Sequence, residues 1–223
     1  METAGGGHPV SHTRIKFCGL TRAQDVHSAI ELGVDYIGLV FAHHSRRRVT
    51  LQQALSLRAL VPEEIAVVAL LMDNPVDEVR SMVEQLRPEL LQFHGSEDEA
   101  FCRQFDVPYW KAIAMGGRQP AEVSALLPVF SSASGFLFDG HGAGEAGGSG
   151  AVFDWRQMPE ASSGTPFLLA GGLSPGNVAT AIHVARPWGV DVSSGIESAP
   201  GIKDAEKMRG FVEAVRRADV AAG

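Results

Sequence analysis

The chain has 223 residues, 45% of them apolar and 20% charged, a composition ordinary for a folded domain that excludes a disordered or fibrous chain. Its formal net charge of -7 disfavours loose association with nucleic acid or an anionic membrane, so any anionic partner must be gripped locally. The length suits a single α/β barrel with one core.

Met1 to Thr13 contains Gly5-Gly6-Gly7 but no apolar core of signal-peptide length, and reads as an N-terminal extension to a domain spanning residues 14–223. No stretch approaches the roughly 18 consecutive apolar residues of a membrane span. From Arg14 onward, short apolar runs alternate with helical patterns. The expected strands are Arg14 to Cys18, Tyr36 to Phe41, Ile65 to Leu71, Leu90 to His94, Tyr109 to Ile113, Gly135 to Phe138, Phe167 to Ala170 and Val190 to Val192. Thr21 to Leu32 predicts a helix with Thr21 as N-cap. Pro75 to Leu86 predicts another, with Asn74 and Pro75 in the cap and first-turn positions. Ser174-Pro175 precedes a third at Asn177 to Ala185, and Lys203 to Ala218 closes the chain. Eight strands alternating with helices predict a (β/α)₈ TIM barrel. A doubly wound open sheet is the rival, but no glycine-rich dinucleotide fingerprint follows the first strand. Gly140 to Gly150 carries six glycines and is expected to be a loop, either a surface insertion or a cover over the site.

In such a barrel the active site lies at the C-terminal ends of the strands. The polar residues expected there are Cys18, Arg46, Arg47, Arg48, Asp73, Gln92, His94, Lys111, Asp139 and Asp191. The loops after strands seven and eight commonly hold phosphate, and they carry Gly171-Gly172 and Ser193-Ser194-Gly195 here. Glycines admit close approach of backbone N–H groups to an anion, and serine hydroxyls add donors. Either pair alone is an ordinary turn; together they point to a phosphorylated small molecule.

Cys18 is by default a packing residue, but its position before Gly19 aims its sulfur into the barrel mouth, where a cation lowers a thiol pKa. Asp139 either caps its loop or serves as a partly buried acid. A thiol base and a carboxylic acid form a proton-transfer pair. The arginine run reads as solvated surface, although one guanidinium turned inward suits a substrate carboxylate. His43 and His44 are adjacent and face opposite ways, and Cys18 and Cys102 lack Cys or His neighbours, so no metal site is expected. Two cysteines cannot build a disulfide framework either, which fits a reducing, cytoplasmic setting.

These motifs together resemble the phosphoribosylanthranilate isomerase family of tryptophan biosynthesis, over nearly the whole chain after the extension. The resemblance is carried by Ile15-Lys16-Phe17-Cys18-Gly19-Leu20-Thr21, Gly38-Leu39-Val40-Phe41 and Leu91-Gln92-Phe93-His94-Gly95. It continues in Gly147-Gly148-Ser149-Gly150 leading to Phe153-Asp154-Trp155, in Ala170-Gly171-Gly172-Leu173-Ser174-Pro175-Gly176-Asn177-Val178, and in Val190-Asp191-Val192-Ser193-Ser194-Gly195-Ile196-Glu197. It implies an Amadori rearrangement, an aldose-ketose isomerisation of N-(5-phosphoribosyl)anthranilate to 1-(2-carboxyphenylamino)-1-deoxyribulose 5-phosphate, with no cofactor; no protein partner is inferred. In that scheme Asp139 is the general acid and Cys18 the general base. Arg47 holds the anthranilate carboxylate, His94 lines the mouth, Asp191 contacts sugar hydroxyls, and Gly171, Gly172, Ser193, Ser194 and Gly195 bind the phosphate. The chain departs from the family pattern in three places: Arg46 and Arg48 flank Arg47 in place of a proline and an aromatic, Phe17 replaces a small aliphatic, and Ala151 replaces a lysine.

The nearest alternative is the sugar-phosphate isomerase of histidine biosynthesis, a barrel that uses paired aspartates, one of them where this chain has Cys18. Indoleglycerol-phosphate synthase needs strand-end lysines that Lys16 and Lys111 alone do not supply. A non-catalytic phosphate-binding barrel is disfavoured by the presence of both Cys18 and Asp139.

Overall fold

The computed structural model describes residues 12–142, 153–158 and 165–222. Eight parallel strands pair in sequence order, and the last pairs with the first to close a barrel. They are β1 (Arg14–Cys18), β2 (Tyr36–Val40), β3 (Ala66–Leu71), β4 (Leu90–Phe93), β5 (Tyr109–Gly116), β6 (Gly135–Gly142), β7 (Phe167–Leu169) and β8 (Gly189–Val192). Around them lie α1 (Ala23–Glu31), α2 (Leu51–Arg58), α3 (Val76–Leu86), α4 (Glu99–Arg103), α5 (Pro120–Leu126), α6 (Val178–Ala185) and α7 (Ala205–Ala222). Between β6 and β7 the described residues contain only a short 3₁₀ turn at Trp155–Gln157. The expected (β/α)₈ TIM barrel is the observed architecture.

Alternation along each strand sorts side chains between two layers. On β1, Phe17 points outward and packs edge-on against Phe211 of α7 at 6.1 Å. Lys16 points inward, to Asp191. The departure at Phe17 therefore falls in the outer core, away from the barrel mouth. At the N-terminal end of the barrel, Tyr36, Trp110 and Trp188 form a ring cluster with centroids 4.9 to 6.3 Å apart. Above it Val68, Leu137 and Leu168 are completely buried.

Several local expectations need correction. Thr21 does not cap α1: its hydroxyl donates to Gly201 O at 2.6 Å, and the helix starts after Arg22, whose guanidinium binds Asp25. Asn74 does not cap α3, which has Pro75 at its N-cap. The Asn74 amide instead accepts from Met72 N and donates to Phe41 O, tying the β3 exit to the β2 exit. Gly140 to Gly142 continue strand β6 instead of starting a loop, because β5 and β6 stay paired to Gly116 and Gly142 across a register shift. The rest of the glycine-rich segment, with Ala151, lies outside the described residues, as does the chain up to residue 11. Thr13 is fixed to Asp219 of α7 through both its N–H and its hydroxyl.

After β8 the chain makes a 3₁₀ turn, Ser194–Ile196, and then a small antiparallel hairpin of β9 (Glu197–Ala199) and β10 (Ile202–Lys203), reversed at Pro200-Gly201. The hairpin puts Glu197 opposite Lys203. It docks on the start of α1, where Asp25 accepts from Lys203 N and Arg22 donates to Lys203 O.

Candidate active site

The strand ends open into a cavity of about 960 Å³. Its lining includes Cys18, Arg47, His94, Asp139, Gly171, Gly172, Asp191, Ser193 and Ser194. Nine of the ten site residues expected from the sequence thus meet in one space, although they come from six strand ends. Gly195 is the exception. A Cβ built there would lie 1.8 Å from Leu173 O, so Gly195 serves the close packing of the β8 exit on the β7 exit and does not line the cavity.

Lys111 needs correction. It projects outward from β5, where its ammonium donates to Gly95 O at 2.8 Å and to Glu97 Oε2 at 3.0 Å and lies over the Phe130 ring. Trp110 and Ala112 take the inward positions beside it, as strand alternation requires. Glu97 also accepts from the N–H groups of Asp73 and Gly95, so this buried pair braces the β3 and β4 exits from outside the cavity.

Cys18 ends β1 and is 4% exposed. Its carbonyl accepts from Lys203 Nζ at 2.7 Å and from Ser193 Oγ at 3.0 Å, which fixes its backbone against the β8 exit. The Ser193 hydroxyl proton is thereby committed to Cys18. Burial pushes the Cys18 thiol above its ordinary value and Asp191 adds to this, while Lys16 and Lys203 oppose it. Lys16, unassigned in the sequence reading, is fully buried two residues below Cys18 and donates to Asp191 Oδ1 at 2.8 Å.

Of the three consecutive arginines, Arg47 is partly buried and Arg46 and Arg48 are exposed, with Arg46 and Arg47 both lining the cavity. Arg47 Nε and one terminal nitrogen each donate to Glu197 at 2.8 Å, a two-bond fork. Glu197 also accepts from Lys203 Nζ at 2.8 Å. Burial raises the Glu197 carboxyl, but the hydrogen bond from Arg47 and the charge of Lys203 outweigh it, so Glu197 titrates below the usual carboxylate value. Glu197 and Lys203 were missed as site residues. Only Glu197's place at the end of the β8 motif signalled it.

His94 Nε2 faces Asp139 Oδ2 at 3.6 Å, and the fully buried Gln92 amide lies 3.2 Å from His94 Nδ1, setting the ring's orientation. Gly171 and Gly172 have φ of 83° and 63°. At Gly171 a Cβ would meet Gly140 N at 2.3 Å and Asp139 Oδ1 at 2.8 Å, so only glycine lets this turn pass Asp139. The Asn177 side chain holds the turn by accepting from Ser174 N and donating to Gly172 O. Among the described residues no group of His, Cys, Asp and Glu side chains has metal-binding geometry.

Residues 15–214 match the family model described as N-(5'phosphoribosyl)anthranilate (PRA) isomerase. A curated relative from Stenotrophomonas maltophilia, named N-(5'-phosphoribosyl)anthranilate isomerase, is 56% identical over 207 residues, covering 93% of this chain and 94% of its own. A relative of the same name from Xanthomonas campestris is 53% identical over 211 residues, covering 93% and 95%. The crystal structure of phosphoribosyl anthranilate isomerase from Thermotoga maritima superposes with a TM-score of 0.83 at 29% identity, covering 92% of this chain and 99% of that one. A structure of such an isomerase in complex with reduced 1-(o-carboxyphenylamino)-1-deoxyribulose 5-phosphate gives 0.77 at 27% identity, with the same coverage. A family match over most of the chain, joined to these identities, means that the chain belongs to the N-(5'-phosphoribosyl)anthranilate isomerase family.

Proposed function

We propose that this chain catalyses the Amadori rearrangement of N-(5-phosphoribosyl)anthranilate to 1-(2-carboxyphenylamino)-1-deoxyribulose 5-phosphate, a step of tryptophan biosynthesis. The observation that carries this reading is the convergence of Cys18 and Asp139 in one cavity with Arg47 and the two expected phosphate turns. It is supported by relatives that bear the isomerase name and by a structural neighbour holding a reduced form of the product.

The phosphate sits against backbone N–H groups of Gly171, Gly172, Ser193 and Ser194, since the Ser193 hydroxyl is already engaged. At the other end the anthranilate carboxylate meets Arg47. Glu197 uses two of the five guanidinium donors, leaving others for the substrate. Asp139 protonates the ribose ring oxygen, the C1–O bond breaks, and an iminium forms on the anthranilate nitrogen. Cys18 then takes the proton from C2 and leaves an enolamine. Protonation at C1 and loss of the C2 hydroxyl proton give the ketone. Asp191 contacts the sugar hydroxyls and His94 shapes the wall beside Asp139. Each step is a proton transfer, so the scheme draws on no cofactor.

The setting we infer is the cytoplasm, supported by two free, buried cysteines. No helix among the described residues is long and apolar enough to cross a membrane. The reading is tested by expressing the chain in a tryptophan auxotroph that lacks this isomerase. Growth without tryptophan is expected; failure to grow with the protein present and folded counts against the assignment.

A further inference from the structure

Lys16 and Cys18 alternate on β1 and so share the inner face of the barrel. Cys18 pairs in register with Gly38 of β2. A Cβ at Gly38 would lie 2.9 Å from Cys18 Sγ and 3.1 Å from Lys16 Nζ, so the sulfur and the ammonium flank one gap that only a glycine leaves open. Lys16 has no exposed surface, and Asp191 Oδ1 fixes its ammonium at 2.8 Å.

The other charged groups around Cys18 are placed differently. Asp191 approaches from β8 and holds Lys16. Lys203, from β10, is spent on the Cys18 carbonyl, Ser193 O and Glu197. Arg47, from the β2 exit, is held by Glu197, and His94 and Asp139 line the same cavity from β4 and β6. Lys16 is thus the cation that sits against the thiol from inside the barrel.

Structure alone gives no reason for a charge there, because replacing a buried ion pair by apolar groups of similar volume is often neutral or stabilising. Chemistry does give a reason. A buried thiol resists ionisation unless a cation compensates the thiolate. We propose that Lys16 is the positioning residue that makes Cys18 a base, its buried ammonium, fixed by Asp191, stabilising the Cys18 thiolate from within the barrel. The proposal rests on the reading of Cys18 as the base and adds the group that enables it. Burial works against the charge on Lys16, but Asp191 and the thiolate outweigh it, so Lys16 stays protonated.

The test follows cysteine Cβ chemical shifts against pH by ¹³C NMR, with the Cys18 signal assigned by its loss in Cys18→Ser. In Lys16→Met the Cys18 midpoint is expected to rise by more than one pH unit, at least a tenfold loss of thiolate at any pH below it. The acid limb of kcat/KM should move with the midpoint, and Lys16→Arg should restore it. An unmoved midpoint in Lys16→Met overturns the proposal. If Lys16→Met does not fold, Lys16→Gln carries the same test, and an unmoved Cys18 midpoint in that folded variant overturns it. Full turnover by Cys18→Ser would instead remove the base reading itself, wherever the midpoint lies.

Discussion

Glu197 is the hub on which Arg47 and Lys203 both rest, and replacing it with glutamine has a calculable effect. The carboxylate receives two hydrogen bonds from Arg47 and one from Lys203, each at 2.8 Å. Glutamine keeps the shape but removes the charge, and it turns an N–H₂ group toward a donor. Breaking a buried pair from one side costs about 3–5 kcal/mol, because the partner charges lose compensation. Lys203 can relieve part of this by releasing its proton, so the lower end, about 3 kcal/mol, is expected. For a chain of this size that corresponds to a fall in Tm of roughly 6–12 °C. The pH dependence has a definite sign. The folded Glu197 carboxyl titrates below its ordinary value, so its contribution is complete above the unfolded pKa of about 4.3 and disappears as pH falls through the folded value. Thermal unfolding followed by circular dichroism should therefore show the full difference between Glu197→Gln and the parent at pH 7, narrowing below about pH 4. A difference under about 2 °C at pH 7 would refute the hub.

Other expectations concern the reaction and the loops. Cys18→Ser and Asp139→Asn should each lower kcat by roughly 10²- to 10⁴-fold while still binding a product analogue by calorimetry; a near-normal rate in either removes that residue from the mechanism. Arg47→Met should weaken the substrate by about 1.5–3 kcal/mol, the worth of a charge-assisted hydrogen bond, yet leave the affinity for ribose 5-phosphate within twofold or so. Equal losses for both ligands would show that Arg47 does not read the carboxylate. Gly195→Ala should cost about 1–3 kcal/mol in denaturant melts, since its Cβ would collide with Leu173 O at 1.8 Å. Gly176→Ala, whose Cβ would meet nothing closer than Ser174 Oγ at 3.9 Å, is the matched control and should be near neutral.

The barrel was legible because buried parallel strands read as short apolar runs, and Arg14–Cys18 begins and ends where its pattern does. The limits of β5 and β6 were less so. Residues past Ile113 and Phe138 are mostly small or glycine, and their pairing depends on the partner strand rather than on propensity. Helix α2 was missed, although Thr50 and Gln53 carry a T-x-x-Q capping box that forms in the structure. Five-residue α4 offers too short a window for any periodicity. Within the site, strand-end position found Cys18, Asp139 and Asp191, whereas Lys111 was misread because alternation along β5 turns it outward. The same alternation, counted two residues back from Cys18, points to Lys16. Glu197 and Lys203 become neighbours through the short hairpin after β8, whose three- and two-residue strands are too short to show alternation around the Pro200-Gly201 turn.

Isomerase activity is tested most directly by mixing the purified chain with freshly prepared N-(5-phosphoribosyl)anthranilate and following its fluorescence. The loss is expected to accelerate in proportion to the protein added and nearly to vanish with Cys18→Ser or Asp139→Asn. Decay at the spontaneous rate, whatever the amount of folded protein, would contradict the isomerase assignment.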